Sequence, residues 1–104
     1  MNTDVKEIVV IATAVAAPGH EADLANALKK VAAPTRAQRG CLEFKLYRSD
    51  DGATVTAVEH WASKGDHEAH LQGKHVQELI GNFKGILAKP PIIMEMKPFQ
   101  ERPS

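Results

Sequence analysis

The stretch "CLEFKLYRSDDGATVTAVEHWA", residues 41 to 62, decides the fold. Leu42, Phe44 and Leu46 alternate with Glu43, Lys45 and Tyr47, the period of two that marks a half-buried strand. Asp50 to Gly52 is a hairpin turn signal, and the β-branched run that follows is the return strand, so the two pair antiparallel. On the return strand Val55, Ala57, Glu59 and Trp61 share one face, and Thr56, Val58 and His60 share the other.

Upstream, Val5 to Val15 is dense in Val, Ile and Ala and reads as a long strand buried on both faces. Pro18 and Gly19 break it, and Glu21 and Asp23 place negative charge where a helix begins. Leu24, Leu28, Val31 and Thr35 recur at helical spacing, which predicts an amphipathic helix from about His20 to about Arg39. Pro34 should kink that helix or start a second short segment after Ala33, and Gly40 ends it.

Downstream, Ser63 with Asp66 three residues on resembles a capping box and starts a helix that runs to about Gln72. Gly73 interrupts it. A second segment carries Val76, Leu79, Ile80, Phe83 and Leu87 as an apolar stripe that ends before Pro90 and Pro91. Ile92 to Phe99 reads as a last strand and Gln100 to Ser104 as a loose tail. The order is βαββαβ, an α+β, ferredoxin-like arrangement with an antiparallel sheet and its helices on one face. The other sheet face is apolar, so a second copy packing sheet to sheet is expected, giving a homodimer of the dimeric α/β barrel type. Residues 1–104 read as a single domain with a core of about 5–99.

Thirteen basic and thirteen acidic residues balance, with 43% hydrophobic and 25% charged residues, which is ordinary for a globular protein. No basic block calls for a nucleic-acid partner. The apolar run near the N-terminus follows Asp4 and Glu7, is unlike a secretion signal, and is too short to cross a bilayer; no membrane partner and a cytoplasmic location are expected. The single cysteine, Cys41, has no thiol partner for a disulfide or zinc pair and reads as a small buried hydrophobe.

Four of the five histidines and the only tryptophan fall in "VEHWASKGDHEAHLQGKH", residues 58 to 75. His67 and His70 are three apart and share a helix face, as two metal ligands would. The spacing is not that of a zincin, and no third ligand follows at a recognised distance, so no metal is expected. Alternation turns His60 away from Glu59 and Trp61. His67 is expected as a solvated first-turn residue, His20 and His60 as exposed or interface positions, and Gly73 leaves the direction of His75 open. His70 lies at the edge of the buried helix face, where it must be hydrogen-bonded or line a cavity. Glu59, on an apolar strand, needs a partner among Arg36, His70 and Tyr47.

With these elements in place the chain resembles the antibiotic biosynthesis monooxygenase family, small ferredoxin-like proteins that include quinol and anthrone monooxygenases. The resemblance is carried by "APTRAQRGCLEFKLYRS" (Ala33 to Ser49) and "EHWASKGDHEAHLQGKH" (Glu59 to His75). Arg36 precedes the Gly40-Cys41 pair, Glu59 and Trp61 form the Glu-x-Trp of the third strand, and His70 and His75 follow on the helical segment. Haem-degrading relatives carry an asparagine on the first strand, where this chain has Ala12, Thr13 and Ala14, so haem cleavage is disfavoured. Gly73 stands where a Ser or Thr is usual, and Phe44 where a tyrosine is common.

The resemblance implies a cofactor-independent monooxygenase acting on an electron-rich aromatic, a quinol or anthrone, whose deprotonated form gives an electron to dioxygen. His70 is then the general base and Glu59 its orienting or charge-stabilising partner. Trp61, Phe44 and Phe83 would wall the pocket, with His75 and Arg36 as further substrate contacts. Two other functions fit the same residues: a non-enzymatic small-molecule-binding dimer, and a cofactor-free isomerase or lyase that only moves protons.

Overall fold

The computed structural model describes residues 6–99. Its elements run β1 (Ile8–Val15), α1 (Glu21–Arg36), β2 (Cys41–Arg48), β3 (Thr54–Trp61), α2 (Lys64–Gln72), α3 (Lys74–Asn82) and β4 (Ile92–Met96). The four strands form one sheet in the order β2-β3-β1-β4, with every neighbouring pair antiparallel. This is the ferredoxin-like α+β arrangement.

Strand alternation decides which residues meet the helices. Val55, Ala57, Glu59 and Trp61 of β3 are buried, and the residues between them are half-exposed. On β1 the buried set is Ile8, Val10 and Ala14, while Val9, Ile11 and Thr13 on the other face are only half-covered. The expectation that β1 is buried on both faces therefore fails within one chain, because all three helices lie on one side. Val5, its expected first residue, lies outside the described residues, as does the tail from Gln100.

The core joins Leu24, Leu28 and Val31 of α1 to Ala14, Phe44, Val55 and Ala57 of the sheet. A smaller cluster at the sheet's other end holds Trp61, Ile8 and Val10, and Cys41 packs against both. Burial, and then the Glu59 carboxylate, raises the Cys41 thiol pKa, the opposite of an activated thiol.

Helix α1 passes through Pro34 and stops at Arg36, short of Arg39, with no second segment. Pro34 sits in the last turn, where a missing N–H removes one hydrogen bond and leaves little helix to break. Gly40, at φ +84°, turns the chain into β2, and an added Cβ would overlap the Asp66 side chain. A β-bulge between Cys41 and Glu43 then shifts the register of β2 against β3. Cys41 thereby faces Trp61 on the inner side, and Leu42, expected beside Phe44, is left exposed.

Ser63 caps α2, its Oγ accepting the Asp66 N–H at 3.1 Å and donating to the Asp66 carboxylate at 2.9 Å. Gly73 is extended, with ψ 148°, and divides α2 from α3 as its position in the pattern suggested. Phe83 and Leu87, however, lie beyond α3. Gly85 turns the chain at φ +84°, and residues 86–88 bond to the end of β1 through Ala17 N to Ile86 O and Ala88 N to Val15 O, both 2.8 Å. Pro90 and Pro91, which have no N–H to donate, precede β4, which pairs with β1 from Ile92 to Met96 and stops short of Phe99.

Candidate active site

Helix α2 crosses β3 at its Trp61 end. His67 and His70, three residues apart, point from one helix face onto the sheet, and both are buried. This corrects the expectation of a solvated His67. The residue is 1% exposed and its Nδ1 lies 2.7 Å from Glu95 Oε2 on β4. His70 Nδ1 lies 2.5 Å from the Gln38 side-chain oxygen, in the turn after α1. Two histidines fit in the core because each has a hydrogen-bond partner from a remote element.

Glu59 and Trp61 are two apart on the same strand face, so the indole can reach the carboxylate. Trp61 Nε1 donates to Glu59 Oε1 at 2.9 Å, and His70 Nε2 lies 4.0 Å from the same oxygen. Of the partners expected for Glu59, His70 is the one the fold brings near. Burial raises the Glu59 pKa, against the Trp61 hydrogen bond and the nearby His67, which pull it down. Burial also lowers the His70 pKa, to about 4, helped by the positive charge His75 and His67 would carry. Both changes favour uncharged forms, so His70 is a neutral imidazole at pH 7.

Glu59 and His70 both line an apolar cavity of about 200 Å3 between the sheet and helices α1 and α3. Its other walls are mainly aliphatic and aromatic: Leu28, Val31, Phe44, Ala57, Val76, Leu79, Phe83 and Ile93 among them. Phe44 and Phe83 thus stand where a pocket wall was expected. Trp61 does not: it is fully buried behind Glu59, in the second core cluster, with its ring 4.7 Å from that of His70. Arg36 also lies off the cavity, its Nε donating to Phe44 O at 3.0 Å and its guanidinium 5.9 Å from the Phe44 ring centre. His75 is not among the lining residues; its ring is tilted against that of His70 at 5.6 Å, and its Nε2 is buried with no hydrogen-bond partner among the described residues.

Three histidines of residues 58 to 75 thus gather, with the His67 and His70 rings 6.1 Å apart. His60 is apart from them on the opposite sheet face, 3.2 Å from Glu7, and His20 pairs with Asp23 near the start of α1. Among the described residues no three His, Cys, Asp or Glu side chains are grouped so as to hold a metal ion. Among the same residues no helix is long and apolar enough to cross a membrane.

Two members of the site, Gln38 and Glu95, escape sequence reasoning. Gln38 gives no signal, being a polar residue in a turn. Glu95 does give one: in "IIMEM" it is a lone carboxylate on an apolar strand, the same anomaly that singles out Glu59.

Known proteins match both the sequence and the fold. Rv0793 of Mycobacterium tuberculosis, named "Putative monooxygenase", is 27% identical over 94 residues, which span 90% of this chain and 93% of that protein. Its solved structure superposes with a TM-score of 0.85, covering 91% of this chain and 97% of that one. PA3566 of Pseudomonas aeruginosa is 27% identical with a TM-score of 0.85, covering 91% and 96%. A Nitrosomonas europaea structure described as a "Putative antibiotic biosynthesis monooxygenase" shares the fold at 15% identity, with a TM-score of 0.86 over 97% and 98% of the two chains. Residues 7–81 match the family model described as antibiotic biosynthesis monooxygenase, and the chain belongs to that family.

Proposed function

We propose that the protein is a cofactor-independent monooxygenase that oxidises a small, one-ring quinol with dioxygen, using His70 as general base. The observation that carries this is the pairing of a buried imidazole with a carboxylate 4.0 Å away on the wall of an otherwise apolar cavity. Family membership and a relative named as a monooxygenase support the same reading. The cavity size argues for one ring over the three of an anthrone: an apolar cavity of about 150 Å3 holds benzene, and this one is about 200 Å3.

In this mechanism His70 takes a phenolic proton from the quinol, and the quinolate passes one electron to dioxygen. The semiquinone and superoxide combine at a ring carbon, forming one C–O bond. Loss of water across the O–O bond leaves a hydroxyquinone, so that quinol and dioxygen become hydroxyquinone and water. Phe44, Phe83 and the aliphatic walls keep bulk water from the radical pair. Glu59 stabilises the imidazolium that forms beside it.

We also propose that the working form is a homodimer. The sheet face away from the helices carries Val9, Ile11 and Val58, with Ile92, Met94 and Met96 in register alongside. Those three β4 residues are 40–53% exposed, an apolar surface that a second copy would cover.

Oxygen uptake by metal-free protein over a set of one-ring quinols tests the activity. The expected result is saturable uptake of one dioxygen per quinol, lowered by roughly 10²–10⁴ in kcat in His70→Gln, the usual worth of a general base. Uptake no faster than quinol autoxidation, or unchanged in His70→Gln, would overturn the proposal. Turnover without oxygen would assign the site to proton transfer alone.

A further inference from the structure

Histidine as a base depends on which ring nitrogen holds the proton, and that is set by the partner of the other nitrogen. At His70 that partner is the side-chain oxygen of Gln38, 2.5 Å from Nδ1. The turn holding Gln38 is fixed at the backbone: its N–H donates to Thr35 O at 3.0 Å, and its carbonyl accepts the Cys41 N–H at 3.1 Å. Its side chain therefore reaches His70 from an anchored position. A carbonyl oxygen only accepts hydrogen bonds, so the ring hydrogen sits on Nδ1. The lone pair is then on Nε2, the nitrogen 4.0 Å from Glu59 Oε1.

We infer that Gln38 is a positioning residue: by accepting the Nδ1 hydrogen it holds neutral His70 in the tautomer whose bare Nε2 faces Glu59 and the cavity. Without that acceptor the ring gains by moving its hydrogen to Nε2 and donating to the Glu59 carboxylate. The base is then lost while the fold is kept. The catalytic half of this inference rests on the proposed function, whereas the tautomer itself does not. His67 supplies an internal reference, because its Nδ1 has a separate partner in Glu95.

The test is nitrogen NMR of the full chain labelled with 15N-histidine, in which couplings to the ring protons show which nitrogen is protonated. At neutral pH the wild-type His70 should be the Nδ1–H tautomer. Gln38→Met should move the hydrogen to Nε2, and Gln38→Glu, which keeps an acceptor, should hold it on Nδ1 and raise the titration midpoint of His70. The His67 signals should stay in place in all three. In quinol turnover, Gln38→Met should lower kcat by about tenfold or more with little change in KM, and Gln38→Glu should recover most of it. A wild-type His70 protonated on Nε2, or a tautomer unmoved by Gln38→Met, overturns the inference. If Gln38→Met does not fold, the wild-type and Gln38→Glu spectra still decide. If the tautomers behave as expected but no quinol is turned over, Gln38 positions the ring and it is the monooxygenase reading that fails.

Discussion

His70 ties the site to the stability of the whole chain, and replacing it with glutamine makes the tie measurable. In the folded protein burial holds its pKa at about 4, against an ordinary value of 6.5. Below pH 6.5 the unfolded chain binds a proton at this residue and the native chain does not, so acidification pulls the equilibrium toward unfolding. The loss begins near pH 6.5 and is complete near pH 4, below which both states are protonated. Over that window it amounts to about 3 kcal/mol, at 1.36 kcal/mol for each pH unit between the two values. Glu59 acts in the opposite sense, since its raised pKa lets the native state keep a proton that the unfolded state releases. Glu59 is present in both proteins, so the difference between wild type and His70→Gln isolates the histidine. Urea unfolding at half-unit steps from pH 4 to 7, at one fixed protein concentration, gives that difference, with the single buried Trp61 as the fluorescent reporter. The wild type should lose about 3 kcal/mol relative to the variant between pH 6.5 and 4. A constant difference would mean that burial does not suppress the charge. A difference of opposite slope would mean that His70 is held as a cation paired with Glu59, and the neutral-base reasoning would fall with it.

Three further outcomes follow from individual contacts. Glu59→Gln keeps an acceptor for the Trp61 indole but removes the ionisable group. Because the native pKa is raised, the glutamine variant should gain stability over wild type as pH rises above about 4.5 and show no gain below it, in thermal melts across pH 4 to 8. Gly40→Ala meets both a positive φ and the Asp66 side chain, and should lower unfolding free energy by about 2 kcal/mol or more; a loss under half of that in denaturant unfolding would contradict the packing at this turn. Ile11→Lys places a charge beside Met94 and Val58 on the outer sheet face, and light scattering at micromolar concentration should show a dimer for wild type and a monomer for the variant; a monomeric wild type would sink the dimer proposal.

The fold was legible where one local period governed a whole element. On β3 the alternation predicted every buried residue, Val55 through Trp61, because a strand covered on one face repeats with period two and nothing interrupts it. Gly73 divided the helices as expected, because its neighbours on both sides carry helical patterns that end there. The misses have particular causes. Leu42 fell out of the inner face through a bulge, one extra residue that strand periodicity cannot announce. Phe83 and Leu87 continue the apolar spacing of α3, yet Gly85 turns the chain and residues 86–88 bond to β1 instead. There a long-range pairing replaced a helix that the local pattern favoured equally well.

The site divides along the same physical line. Glu59, His70, Phe44 and Phe83 could be named from the sequence because each is anomalous or apolar on its own element. What could not be read was where their partners come from. His67 looked like a first-turn residue open to water, and it is buried because β4, 28 residues further on, brings Glu95 to its Nδ1. Trp61 looked like a wall of the pocket, and it stands behind Glu59 because α2 covers the end of β3 and closes the indole away from the cavity. Both corrections have the same consequence for chemistry. The polar groups that fix His67, His70 and Glu59 come from β4, from the turn after α1 and from the indole, not from solvent. A buried imidazole and a reluctant carboxylate are thereby held side by side against an apolar cavity, which is the arrangement that the proposed abstraction of a proton from an electron-rich ring requires.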